Sequence, residues 1–84
     1  MKSIAKVVET YNDGNYVTIL LFNETTKNGF YYEFETSNLV TKWNEILKEL
    51  NELDNSSYPK SATSISRAFN NEDELITYFE DNIL

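Results

Sequence analysis

The chain has 84 residues, a net charge of −7, and neither cysteine nor histidine. A single domain of this size has a small core and little room for an enclosed active site. It can form no thiolate, and it lacks the commonest general base and metal ligand at neutral pH. The negative charge argues against direct binding to nucleic acid or to an anionic membrane, because both would repel it.

Composition also indicates where the protein works. Small secreted domains commonly rely on disulfides, so the lack of cysteine favours the cytosol. The N-terminal "MKSIAKVVETYNDG" has no long apolar run of the kind found in signal peptides. No stretch is long enough to span a bilayer. We therefore expect a cytoplasmic protein that does not bind a membrane.

The first part of the chain predicts a β-hairpin. "SIAKVVETY" alternates in part, with Val8 expected on one face and Val7 and Tyr11 on the other. "NDGN" predicts a turn, because Gly14 tolerates a positive φ. "YVTILLFNETT" predicts a long central strand whose middle is apolar on both faces, which is typical of a strand covered at least in part on both sides.

A second hairpin and a third strand follow. "KNGF" predicts a type I′ turn at Asn28-Gly29, and "FYYEFET" predicts a strand. One face of this strand is aromatic, with Phe30, Tyr32 and Phe34. The other face carries Tyr31, Glu33 and Glu35.

The hydrophobic period then changes to that of a helix. "SNLVTKWNEILKELNELDN" predicts an amphipathic helix that is capped by Ser37 or Asn38 and ends before Pro59. We expect Trp43 to be structural, within the apolar stripe and not a platform for a ligand. The stripe comprises Leu39, Trp43, Ile46, Leu47, Leu50 and Leu53.

The last part of the chain predicts a strand and a helix. Residues 63–69 alternate in polarity and predict a short fourth strand. Asn70 or Asn71 is the expected cap of a final helix with an apolar stripe of Leu75, Ile76, Phe79 and Ile83, and Asn71 with Glu74 fits a capping box. These elements predict a single α+β domain over residues 1–84: a three-stranded antiparallel meander, a short fourth strand, and two amphipathic helices packed on one sheet face.

The negative charge is concentrated in the second half of the chain. Residues 1–42 have four bases and five acids, whereas residues 43–84 have three bases and nine acids. The segment "NNEDELITYFEDNIL" has five acids and no base. Asp73 and Glu74 would stabilise a helix N-terminus, but the helix dipole opposes Glu80 and Asp81 near the other end. Solubility or a binding role could explain the latter pair.

These carboxylates favour binding over catalysis. Glu33 and Glu35 are neighbours on an open strand face, which is more typical of solvated groups than of an acid–base pair. The sequence contains no cofactor or metal motif. We therefore predict a non-enzymatic protein without cofactors that binds a basic protein. The candidate contact residues are Asp73, Glu74, Glu80, Asp81, Glu33, Glu35 and Tyr31.

In its small size, its lack of cysteine and histidine, and the acidity of "NNEDELITYFED", the chain resembles inhibitors that phages and mobile elements encode against host defence. These include anti-CRISPR and other nucleic-acid-mimic proteins. The resemblance implies inhibition of a basic, nucleic-acid-binding host protein such as a nuclease or CRISPR effector. Two alternatives stay open: an immunity protein or antitoxin that neutralises a basic nuclease, and an oligomerisation or architectural module, including a homodimer.

Overall fold

A computed structural model describes residues 5–52 and 61–84 and has an α+β fold with four antiparallel strands and two helices. The strands lie in the sheet in sequence order, and the predicted fourth strand is present. The elements are β1 (Ala5–Asn12), β2 (Tyr16–Asn23), β3 (Asn28–Glu35), a 3₁₀ turn (Thr36–Asn38), α1 (Leu39–Glu52), β4 (Thr63–Ala68) and α2 (Glu72–Asn82).

Strand β2 is the centre of the protein, because every residue after Tyr16 in it is buried. Its alternate side chains enter two separate cores. The first core combines Val17, Ile19, Leu21, Phe30, Tyr32 and Phe34 with Ile46 of α1. The second core combines Leu20 and Phe22 with Ile65, Phe69, and Leu75 and Phe79 of α2.

The two helices therefore cover opposite faces of the sheet, and the prediction that both pack on one face is wrong. Helices on the Phe30 face alone would leave Leu20 and Phe22 of β2 exposed to water. Burying each of these side chains contributes about 1.5–3 kcal/mol. Both are at most 2% exposed beneath α2, so the second helix removes this cost.

The β1–β2 hairpin forms where the sequence predicts it, and Gly14 has a φ of 95°. One carboxylate oxygen of Asp13 accepts the backbone N–H groups of Tyr16 and Asn15 at 2.8 and 2.9 Å. These bonds, that from Tyr16 first, lower the pKa of Asp13. The turn is thus held by its own aspartate as well as by glycine.

The second turn lies earlier than predicted. Asn28 and Gly29 belong to β3, where they pair with Asn23 and Phe22, so the chain reverses over residues 24–27. Lys27 has the positive φ, 66°. The side chain of Asn23 accepts the N–H groups of Thr25 and Thr26 at 2.9 and 3.2 Å. This asparagine organises the turn in place of a type I′ pair.

Gly29 has a packing role instead. A Cβ built on Gly29 would lie 2.5 Å from Cδ1 of Leu75, which is fully buried. The missing side chain therefore lets α2 approach the sheet closely.

A bulge in β1 changes which residues share a face. The register with β2 shifts between Val7 and Glu9. As a result, Val8 and Tyr11 both pack against the second core, although the sequence pattern predicts opposite faces for them. Val7 is left 40% exposed.

The observed helix bounds and apolar stripes agree only in part with those predicted from the sequence. Ser37 and Asn38 lie in the 3₁₀ turn before α1, and Leu53 and Pro59 lie outside the described residues. Ile46 is buried, and Trp43 packs half-buried against the first core, in line with a structural role. Within residues 5–52 and 61–84, neither helix combines the length and apolar character needed to cross a membrane.

We predict that Gly29→Ala lowers the free energy of unfolding by about 1–3 kcal/mol, because the added methyl overpacks the second core. Leu75→Val should relieve this contact, so the double variant should lose less stability than the two single changes together. Urea unfolding of the four proteins in the cycle measures the coupling.

Gly14→Ala is the control, because no atom lies within 4 Å of a Cβ at that position. Its cost arises from the positive φ and should add to that of Leu75→Val without coupling. Additive costs for Gly29→Ala and Leu75→Val would contradict the close approach of α2.

Candidate functional site

One side of the sheet, together with the helix packed on it, carries the predicted contact residues. Tyr31 points toward α2 and packs edge-to-face on Phe79, with ring centroids 5.2 Å apart. Glu33 and Glu35 follow on the same face of β3, because side chains alternate along a strand. We call this side, with α2, the acidic face. Its carboxylates are Glu33, Glu35, Glu72, Asp73, Glu74, Glu80 and Asp81.

The acidic face thus brings together all seven candidate contact residues, which the predicted fold would have divided between two sides. With both helices on the Phe30 face, α2 would lie opposite Glu33 and Glu35. The structure instead places α2 over Tyr31 and leaves those two glutamates exposed beside it.

The first turn of α2 holds three acids, Glu72, Asp73 and Glu74. Of the two predicted caps, Asn71 is the one that caps the helix, since its side chain accepts the N–H of Glu74 at 2.9 Å. The side chain of Glu74 bonds the amide of Asn70 at 3.0 Å and reaches its backbone N–H at 3.4 Å. The helix start is therefore fixed by side chains as well as by the dipole.

One base from each edge strand pairs with this turn. Lys6 of β1 lies 3.5 Å from Glu72 and 2.5 Å from Glu24. Arg67 of β4 lies 3.3 Å from Glu74. The final segment, residues 70–84, contains neither base: strand pairing brings Lys6 to the helix, whereas Arg67 lies just before the segment, seven residues from Glu74.

Arg67 is held in place by aromatic rings. Its guanidinium carbon lies 4.8 Å from the centroids of both Phe69 and Tyr78. Cation–π contacts at exposed sites contribute about 0.5–1 kcal/mol each. Because Arg67 is fixed by these rings and by Glu74, its charge stays at the start of α2.

Glu80 has a structural partner, contrary to the expectation that nothing in the fold favours it. The hydroxyl of Tyr11 donates to Glu80 at 2.9 Å, and the Tyr11 ring stacks on Phe79 with centroids 5.4 Å apart. Burial first, then the bond to Glu80 and the charges of Glu80 and Glu9, raise the pKa of Tyr11. This bond anchors the second half of α2 to β1.

Asp73 and Asp81 differ from the other acids of α2. Within the described part of the chain, neither carboxylate takes part in an ion pair or side-chain hydrogen bond. Both line a shallow open groove on the outer surface of α2, whose other lining residues are Arg67, Glu74, Thr77, Tyr78 and Asn82. Because Arg67 is paired with Glu74, Asp73 and Asp81 are the acids of α2 most available to a cationic partner.

Beyond the end of α2 the sheet is partly uncovered. A shallow depression there is lined by Tyr11, Tyr16, Thr18, Glu33 and Leu84. Tyr16 is 52% and Leu84 65% exposed, and Tyr16 pairs with Glu35 across the sheet. Leu84 is not among the contact residues predicted from the sequence, because its position depends on where α2 ends. The depression adds an apolar contact area beside the carboxylates.

A second polar cluster lies on the opposite side of the sheet. The hydroxyls of Tyr32 and Ser61 both donate to Oε1 of Glu49 in α1, at 3.1 and 2.5 Å. Burial first, and then the charge and hydrogen bond of Glu49, raise the pKa of Tyr32. The bonds satisfy a buried phenol and connect α1 to the sheet, which is a structural role.

The acidic face combines exposed carboxylates with exposed aromatic and apolar groups. Within residues 5–52 and 61–84, no three acidic side chains converge as they would around a metal ion. Comparison with protein-family models, with curated proteins and with solved structures finds no match to this chain. Its own charges and contacts are therefore the basis for assigning a function.

The two raised tyrosine pKa values predict a loss of stability at alkaline pH. An unfolded chain releases phenolic protons near pH 10, whereas the folded chain holds those of Tyr11 and Tyr32 to higher pH. Above about pH 10 the folded state binds more protons, so the free energy of unfolding should fall as the pH rises. Below that pH these groups should give no pH dependence.

Urea unfolding between about pH 8 and 11.5 measures this effect. Tyr11→Phe and Tyr32→Phe should each make the fall in the free energy of unfolding at alkaline pH less steep. The control is Tyr16→Phe, because the Tyr16 ring is 52% exposed. If the free energy of unfolding falls equally steeply in all three variants, the hydroxyl contacts with Glu80 and Glu49 do not cause the alkaline sensitivity.

Proposed function

We propose that this protein is a non-enzymatic inhibitor that binds a basic, nucleic-acid-binding protein through its acidic face. The observation that supports this most is the gathering of seven carboxylates on one side of the sheet, with Lys6 and Arg67 as the bases ion-paired to α2. A phage or mobile-element inhibitor of a host nuclease or CRISPR effector would use such a surface.

The physical basis is the match between carboxylates and a site that normally holds phosphates. Carboxylates form strong charge-assisted hydrogen bonds with Arg and Lys, and complementary charge speeds the encounter of two proteins. Asp73 and Glu80 stack on one flank of α2, about 10 Å apart along its axis. This spacing is wider than that of neighbouring phosphates, so the likeness is in charge density.

The exposed aromatic and apolar groups of the depression support a protein partner over a small cation. Tyr16 and Leu84 can be buried in an interface while Glu33 and Glu35 pair with basic groups at its rim. Tyrosine is favoured in interfaces because its ring is apolar and its hydroxyl can hydrogen-bond.

Affinity capture from a bacterial lysate, at low and high salt, tests this function. We expect the protein to retain a nucleic-acid-binding protein at low salt and to release it at high salt. Added DNA or RNA should compete for the same protein, and the captured activity should be inhibited. A toxic nuclease encoded beside this chain would instead indicate an immunity protein or antitoxin. Capture that is insensitive to both salt and nucleic acid would contradict the proposal.

We predict that Asp81→Asn weakens binding to the captured partner without weakening the fold. Asp81 lies in the last turn of α2, where the helix dipole opposes a negative charge. Loss of one exposed pair costs about 0.2–1 kcal/mol, or about 1.4- to 5-fold in affinity. Association rates across a salt series should be lower and less salt-dependent than those of the native protein.

Glu52→Gln provides the matched control, because it removes the same charge from the end of α1 on the other side of the sheet. It should leave both the association rate and its salt dependence closer to the native values. Equal effects of the two variants would mean that only net charge matters. Thermal melting of both variants checks that the fold is retained.

A further inference from the structure

Helix α1 is only partly covered by the sheet. Val40 is 76%, Leu47 42% and Leu39 38% exposed. At 100° per residue, Val40 and Leu47 lie one above the other on the helix surface. Trp43, half-buried, lies between this row and the buried Ile46. The result is an exposed apolar row along two turns of the helix.

The charged side chains of α1 lie away from this row. They all lie at least about 80° around the helix from both Val40 and Leu47. The neutral amides of Asn44 and Asn51 flank the row instead. We call Val40, Trp43, Asn44 and Leu47 the neutral flank. The charged residues on the other side of the helix are Lys42, Glu45, Lys48, Glu49 and Glu52.

We propose that the neutral flank is a self-association site, through which two copies of the chain pair by their α1 helices in antiparallel orientation. A two-fold axis near residues 43 and 44 places Val40 of one copy against Leu47 of the other, and the reverse. It also brings the two Asn44 amides together. Each amide can both donate and accept a hydrogen bond, so the pair is self-complementary.

The distribution of charge favours a second copy over a charged partner at this site. The neutral flank offers no group to pair with the charge of a basic or acidic protein. Helix α1 has two bases and three acids, and Lys42 and Glu45 are themselves 3.4 Å apart. Two such helices can approach each other with little repulsion.

The acidic faces would not oppose this pairing. The sheet lies between α1 and α2, since the helices belong to different cores. In the dimer, both sheets and both α1 helices separate the two α2 helices. Charges farther apart than about 8 Å are largely screened at physiological salt. Both acidic faces also stay exposed, so self-association is independent of the proposed inhibition.

Sedimentation of the native chain and of two charge variants tests the site. We expect the native chain to be a dimer at high concentration and a monomer on dilution. Val40→Asp puts a charge opposite Leu47 of the partner subunit and should weaken the dimer at least about tenfold. Thr41→Asp adds the same charge on the opposite flank and should leave the dimer intact. Val40 is largely exposed, so its variant should keep the native circular dichroism spectrum.

Cross-linking tests the antiparallel geometry, because the chain has no native cysteine. Asn44→Cys should be joined efficiently by a short bis-maleimide reagent, because residue 44 lies near the axis. Lys48→Cys should be joined much less, since the antiparallel pairing separates the two copies of residue 48 by about 13 Å along the helices.

Four results would overturn the proposal. The first is a native chain that stays monomeric at concentrations up to about 1 mM. The second is a dimer that Val40→Asp and Thr41→Asp weaken equally. The third is equal cross-linking of the two cysteine variants. The fourth is a monomer whose neutral flank becomes protected only in complex with the captured basic protein, which would assign the flank to that partner.

Discussion

The burial of β2 on both of its faces determines how the rest of the chain is arranged. A strand with Leu20 and Phe22 on one side and Val17, Ile19 and Leu21 on the other needs a cover on each side of the sheet. With 84 residues the chain can supply one helix to each face, and it does so. Gly29 lets α2 approach closely enough to complete the second core.

This arrangement separates the two helices by charge as well as by position. Helix α2 holds five acids on one side of the sheet, and α1 holds a nearly balanced set on the other. Lys6, Arg67 and Tyr11 fasten α2 to both edge strands through Glu72, Glu74 and Glu80. These contacts also hold the carboxylates on a fixed support, which would lower the entropy lost in the proposed complex.

The sequence predicts the four strands and the two helices, because β3 alternates with a period of two, β2 is a run of apolar residues that favour strands, and both helices have an apolar stripe. It does not predict the 3₁₀ turn before α1. It does not predict which sheet face each helix covers, since both faces of β2 are apolar. The Asn28-Gly29 pair has the composition of a turn, but Asn23 and Lys27 form the turn instead. The bulge at Val8 and the pair of α2 with Lys6 depend on contacts between distant segments, whereas the pair with Arg67 depends on the short turn between β4 and α2. All seven candidate contact residues were named from the sequence, but their common location follows from the packing of α2.

The acidic face has a further property that follows from the groups it contains. Histidine and cysteine are the side chains whose unperturbed pKa lies closest to neutrality, and the chain has neither. Burial and the bond to Glu80 move the pKa of Tyr11 further from neutrality still. The face therefore has no imidazole or thiol through which a small change of pH near neutrality could alter its charge. Ionic strength is a physiological variable that does govern how strongly such a face attracts a cation.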